Sequence, residues 1–208
     1  MKVKKLFNMA ACLCVAVMFS SCGPGKLELS PEETHMLCET YADDVDWASK
    51  PYNGTSYMPL ESIGKYYSEN DTLLLCSCEI IKAEFVPSNV EDFDHTFVDL
   101  TLEIKDVYIG DSSAKGKTIS QLVYQECKDT SHLVGKKYVS FIDGIRFETL
   151  YFYTPWMFLI TDDGTLVSPY GCLLEDEEEI AKGNLSVDSR NYTGQKLDYF
   201  IAKVKEVG

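Results

Sequence analysis

The stretch that decides the fold is Phe97 to Asp111, "FVDLTLEIKDVYIGD". Val98, Leu100, Leu102 and Ile104 fall on one face of an extended chain, and Asp99, Thr101, Glu103 and Lys105 on the other. A strict two-residue period predicts a strand with one face buried and one face wet. The period slips at Asp106, where Val107 takes the apolar role, and a β-bulge is the simplest cause. Working outward, "LLLCSCEIIKAEF" from Leu73 to Phe85 is a second strand, Thr118 to Cys127 a third and Lys136 to Ile142 a fourth. "GDSSAKGK" and His132 to Gly135 are turns, and Asp143-Gly144 and Asp163-Gly164 are tight-hairpin signals. Between the two hairpin signals lies an aromatic run, Phe147 to Ile160.

Helices flank this β-region. Ser30-Pro31-Glu32-Glu33 has a capping serine, a proline for the first turn and a glutamate that completes a capping box, so a helix should run to about Trp47. A second, short one should start at Pro59, with Leu60, Ile63 and Tyr67 on one face. Glu175 to Gly183 should be helical, with acids at its start and a stopping glycine. Leu197, Phe200, Ile201 and Val204 form an apolar stripe for a last helix. The expected fold class is α+β, a five- to six-stranded OB-like barrel between N- and C-terminal helices.

The N-terminus carries an address. Lys2, Lys4 and Lys5 precede an apolar run from Leu6 to Phe19, then Ser20 and Ser21. That is the layout of a secretory signal peptide, too short to span a bilayer comfortably. Phe19 to Gly23, "FSSCG", resembles the lipobox of bacterial lipoproteins. The resemblance implies that Cys22 becomes the first mature residue and carries acyl chains such as palmitate, each buried methylene adding about 0.8 kcal/mol of membrane affinity. The expected organisation is a signal peptide at 1–21, a lipid-anchored tether at 22–29, a helical segment at 30–70, the barrel at 71–170 and a helical segment at 171–208. The expected location is the bacterial cell envelope, outside the cytoplasm.

Residues 1–21 hold three lysines and no acids, so the formal net charge of -14 becomes -17 without them. Such a field repels nucleic acid, and no nucleic-acid partner is expected. The expected partners are the membrane, through the lipid on Cys22, and an extracellular protein, peptide or glycan.

The order of "SENDTLLLCSCEIIKAEF", "FVDLTLEIKDVYIGD", "GKTISQLV", "LVGKKYVSFID" and "WMFLITDDGTLV" resembles the bacterial members of the netrin-like group. These share the OB-type barrel of the tissue inhibitors of metalloproteinases. The resemblance covers roughly 71–167 and implies a binding barrel rather than an enzyme. The animal inhibitors act through a free N-terminal cysteine in a Cys-x-Cys start. Here Cys76-Ser77-Cys78 is internal to a strand and Cys22 would be acylated, so that mechanism carries over to no residue.

Candidate sites are few. Cys76 and Cys78 share a strand face with Leu74 and Ile80, which points to buried thiols. Their spacing is not the redox Cys-x-x-Cys, and no second pair stands at zinc spacing, so no metal or other cofactor is expected. Export makes disulfides plausible for Cys38, Cys76, Cys78, Cys127 and Cys172, an odd set that leaves at least one thiol over. His35, His95 and His132 form no metal motif, and Cys127 near His132 is the one thiol pairing an enzyme would use. Acids gather at Asp43, Asp44 and Asp46 and at Glu175 to Glu179, as solvated helix faces do. In the aromatic run, Leu150, Phe152, Trp156, Phe158 and Ile160 are assigned to the core, and Tyr151 and Tyr153 to an outer face where they could stack on a ligand or be covered by terminal helices. No catalytic residue is assigned. The leading expectation is a non-catalytic binding protein. The alternative is an inhibitor of a secreted protease acting through barrel loops, and the third is an enzyme with a reactive thiol.

Overall fold

The computed structural model describes residues 25–49, 60, 73–86, 97–124, 130–143, 157–168 and 192–207. Within these, six strands form one antiparallel sheet: β1 (Leu73–Val86), β2 (Phe97–Ile109), β3 (Thr118–Tyr124), β4 (Lys137–Asp143), β5 (Phe158–Ile160) and β6 (Leu166–Val167). Their order is β3-β2-β1-β4-β5-β6. Helices α1 (Pro31–Thr40) and α2 (Ala42–Ser49) precede the sheet and α3 (Leu197–Val207) follows it. The architecture is therefore α+β.

β1 is the middle of the sheet. Its first half, Leu73 to Glu79, pairs with β4, while Leu75 to Val86 pairs with β2. The slip expected near Asp106 is real. Ser77 opposes Asp106 and Cys78 opposes Ile104, so Lys105 is an extra residue on β2. The bulge lets Ile104 and Val107 both turn to the same core. Lys105 is thrown outward, with its Nζ 2.8 Å from Glu103 and 3.5 Å from Glu79. Further bulges fall at Tyr108 on β2 and Ile81 on β1. At the end of β2, Gly110 has φ +98°, and a Cβ there would lie 2.8 Å from the Leu73 carbonyl oxygen and 2.5 Å from Leu74 Cδ2. Only glycine permits that approach of β2 to the start of β1.

Two apolar cores lie on opposite faces of the sheet. The first gathers Leu74, Cys76, Cys78 and Ile80 of β1 with Val98, Leu100, Leu102 and Ile104 of β2. Ile119 of β3, Tyr138 and Ile142 of β4, Leu159 of β5 and Val167 of β6 join it, so both end strands reach one core. The second core holds Leu73, Leu75, Val139, Phe141, Phe158 and Leu166 under Phe200 and Val204 of α3. Phe200 meets Phe158 and Tyr192 edge to face at 5.0 Å and Phe141 at 6.2 Å. Such pairs add roughly 0.5–1.5 kcal/mol each beyond the area they bury.

Three expectations change. A closed barrel is not formed by the described strands: the sheet is open, with β3 and β6 at its ends. The outer edge of β5 is taken by β6, through Leu159–Val167 and Ile160–Leu166, and so is not offered to β3. α2 lies against both β3 and β5 instead. The single N-terminal helix is two, broken at Tyr41, whose N–H is shared between the carbonyls of Leu37 and Cys38 at 3.3 Å each. The break allows Tyr41 and Val45 both to pack on the first core. Phe158 and Ile160 pack in a core, as expected, the one under α3; Met157 and Leu159 face the first core as well, because β5 is covered on both faces. The expected tether is fixed before its end, since Leu27 is hydrogen-bonded to Gln195. The Asp143-Gly144 hairpin and the Glu175–Gly183 helix lie outside the described residues, as does the Pro59 helix apart from Leu60, which is helical and buried.

The Ser30 capping box is present: Glu33 N–H donates to Ser30 Oγ at 3.2 Å, and Ser30 N–H to Glu33 Oε2 at 2.8 Å. At the other end, the Asp163-Gly164 turn joins β5 to β6 and is fastened to the start of α3. Lys196 Nζ donates to Asp163 Oδ2 at 2.7 Å, to the Asp163 carbonyl at 3.0 Å and to Thr165 Oγ1 at 2.9 Å. Thr161 Oγ1 donates to Asp163 Oδ1 at 2.6 Å. The Lys196 ammonium and the Thr161 hydroxyl together hold the Asp163 carboxyl well below the usual carboxylate range. A carboxylate depressed in the folded state stabilises above its unfolded pKa, roughly 3.9, and loses that contribution as pH falls further. Chemical denaturation across this acid range should show the stability gap between wild type and Asp163→Asn narrowing as pH drops. The gap should stay under about 1 kcal/mol, because both side chains are partly exposed.

Candidate functional site

Strand alternation brings Cys76 and Cys78 to one face of β1. The Lys105 bulge lies on β2 directly across from the step between Ser77 and Cys78. The two sulfur atoms are 3.8 Å apart, within a sulfur hydrogen bond, and both residues are 1 % exposed or less. They are thiols rather than a disulfide, and Cys38 is likewise a buried thiol, on α1. The hydrogen bond with Cys76, and then burial, push the Cys78 thiol well above its ordinary value. A thiol so raised is not a thiolate at neutral pH, and the thiolate is the nucleophile and the metal ligand. Leu74, Ile80, Leu102, Ile104, Tyr138 and Ile142 belong to the same apolar cluster. What this arrangement does chemically is pack.

Ser77 points the other way and is also buried. It hydrogen-bonds the Tyr108 phenol, whose pKa burial nonetheless raises. That contact joins β1 and β2 on the face turned toward α3.

The remaining sequence candidates do not converge. His132 Nε2 lies 3.2 Å from the Asp43 carbonyl oxygen, and so is used to hold α2. Asp44 takes Lys136 Nζ at 2.7 Å, and its carbonyl accepts the Tyr138 hydroxyl at 2.7 Å. These contacts turn part of the acidic group Asp43–Asp46 into a clasp between α2 and β4. His35 pairs with Glu39 on the surface of α1 at 3.2 Å. Among the described residues, no three of His, Cys, Asp or Glu gather closely enough to hold a metal ion. Cys127, Cys172, His95, Tyr151 and Tyr153 lie outside the described residues.

One constellation was not legible in the sequence. The side chain of Gln195, 3 % exposed, forms both hydrogen bonds a strand partner would form with Leu27. Its Oε1 accepts from Leu27 N–H at 2.8 Å, and its Nε2 donates to the Leu27 carbonyl at 2.7 Å. Leu29 sits over Gly194, where φ is +82° and a Cβ would collide with its Cδ1 atom. Residues 168 positions apart meet here, and an isolated glutamine carries no pattern that could announce it.

Comparison with protein families, with curated proteins and with solved structures found no match to this chain.

The burial of the Cys76–Cys78 pair has a measurable consequence. Native protein should be alkylated at these two thiols only at the rate of global unfolding, and unfolded protein at once. Peptide mapping after timed iodoacetamide treatment checks this, and rapid native labelling at either residue would contradict the packing role.

Proposed function

We propose that this chain is a lipid-anchored, extracytoplasmic, non-catalytic binding protein of the bacterial envelope, built on an OB-like barrel of the netrin-like kind. The observation that carries the reading is the strand order around β1. A central first strand pairs with β2 along most of its length and with β4 along its first half, and the meander β1-β2-β3 lies on one side. An OB-type barrel has the same arrangement. In this reading α2, which touches β3 and β5, plugs the seam between them.

Further support is the chemical quiet of the strand thiols. A sealed thiol pair in a packed core belongs to a scaffold, and the binding surface is then carried by loops and outer faces. Tyr151 and Tyr153 are the residues proposed to contact a peptide or glycan. The anchor is the lipid on Cys22, in keeping with "FSSCG" at the end of a short apolar run.

Intact mass of the membrane-extracted protein tests the address. The expected species begins at Cys22 and carries acyl chains, while Cys22→Ser leaves the chain unacylated and released by a salt wash. A full-length chain with an unmodified Cys22 would overturn the reading.

A further inference from the structure

Strand β1 runs on after its pairing with β4 has stopped. The β1–β4 ladder ends at Glu79–Lys137, and Gly135 N–H closes it by donating to the Ile80 carbonyl at 2.7 Å. Lys82 to Val86 then continue along β2 alone.

The register determines which backbone groups face the open side. Ile104 of β2 bonds toward β3: its N–H donates to the Lys117 carbonyl at 2.9 Å, and its carbonyl accepts from Gly116 N–H at 2.8 Å. By alternation Leu102, Leu100 and Val98 also turn to β3, and Thr101 and Asp99 turn to β1. Lys82 and Glu84 oppose Thr101 and Asp99, so their N–H and C=O groups are engaged with β2. Ala83 opposes Leu100 and aims both of its groups outward. Among the described residues, no backbone group bonds Ala83 on that side.

The side chains around this edge are self-complementary. Ala83 packs on the first core. Lys82 and Glu84 share the solvent face, their charges 2.8 Å apart and more than half exposed. Ile81, Val86 and Val134 flank the edge, each more than a third exposed, and Val134 directly precedes the Gly135 that holds Ile80. Charges usually protect a free edge from pairing. Here the two signs stand two residues apart, and a two-fold axis at Ala83 turns that spacing into attraction.

We propose that this edge pairs antiparallel with the same edge of a second copy of the chain, about a two-fold axis at Ala83. Each Ala83 N–H donates to the partner's Ala83 carbonyl. Each Lys82 stands opposite the partner's Glu84, on both sides of the axis. Val86 arrives where the partner's β4 begins, against the partner's Val134, and the pairing ends there. An axis at Glu84 would instead set two carboxylates face to face, which is destabilising. The paired stretch is short, so the dimer is a weak one.

Sedimentation equilibrium of the full chain, in a neutral detergent at matched density, tests this. Physiological salt screens the net negative charge beyond about 8 Å and leaves the close pairs. A monomer–dimer equilibrium is expected. Lys82→Glu should raise the dissociation constant roughly tenfold, because the symmetry counts each like-charge pair twice. Lys82→Glu combined with Glu84→Lys should bring it back near the wild-type value. Ala83→Pro should abolish the dimer, since it removes the outward N–H and leaves the bonds to β2 in place. The charge series decides the matter even if the proline variant fails to fold. A monomer at every concentration overturns the proposal and leaves the edge to an extended segment of another protein. A dimer that is indifferent to Lys82→Glu, that the double reversal does not restore, or that survives in folded Ala83→Pro is built elsewhere and overturns it as well.

Discussion

The rest of the structure depends on one constraint: β1 must be covered on both faces and paired on both edges. Its apolar run from Leu73 to Ile80 offers Leu74, Cys76, Cys78 and Ile80 to one side and Leu73 and Leu75 to the other. One sheet face cannot bury both sets. The chain therefore builds two cores. The sheet wraps the first, and α3 closes the second with Phe200 and Val204. Burying a side chain of phenylalanine or leucine size contributes about 1.5–3 kcal/mol, so the second core is a major share of the fold's stability. Neither core would form without β1 between them.

The bulges follow from the same constraint. A long strand such as β2, held in strict register, would alternate without interruption and stay comparatively straight. The extra residue at Lys105 returns Val107 to the first core, and the one at Tyr108 turns Tyr108 and Ile109 to the second. Each bulge also increases twist, and twist lets Ile119 at one end of the sheet and Val167 at the other meet the same cluster. Gly110 then allows β2 to end against Leu73, where any side chain would collide. Within this scaffold, Cys76 and Cys78 occupy positions that demand small apolar groups, which a thiol supplies.

Local signals in the sequence carried far. The alternation of Val98 to Ile104, the slip beside Asp106, the Ser30 capping box and the α3 stripe all depend on neighbours within a few residues, and each has the form it predicts. The misses are long-range. That β5 is buried on both faces depends on α3, some 40 residues later, and three residues of strand show no period that could reveal it. The break at Tyr41 serves contacts of α2 with His132, Lys136 and Tyr138. The β5–β6 hairpin itself was legible in the Asp163-Gly164 turn signal; what its sequence does not show is that this pairing takes the edge a closed barrel would offer to β3. The Gln195 clamp is the extreme case, a tertiary contact built from residues that would be unremarkable anywhere else.

The fold and the proposed function meet at the ends of the chain. The N-terminal strap and the start of α3 are neighbours, and both are tied to the β5–β6 hairpin. An anchor at Cys22 would thus act on the part of the molecule that closes the second core, not on a loose appendage. Amide hydrogen exchange along β1 tests the central claim most directly. If β1 is the shared wall of two cores, the amides of Leu74 to Ile80 exchange more slowly than those of α1 and only through global unfolding. Exchange of these amides as fast as those of α1 would mean that the two cores are not built on β1, and the account would fail.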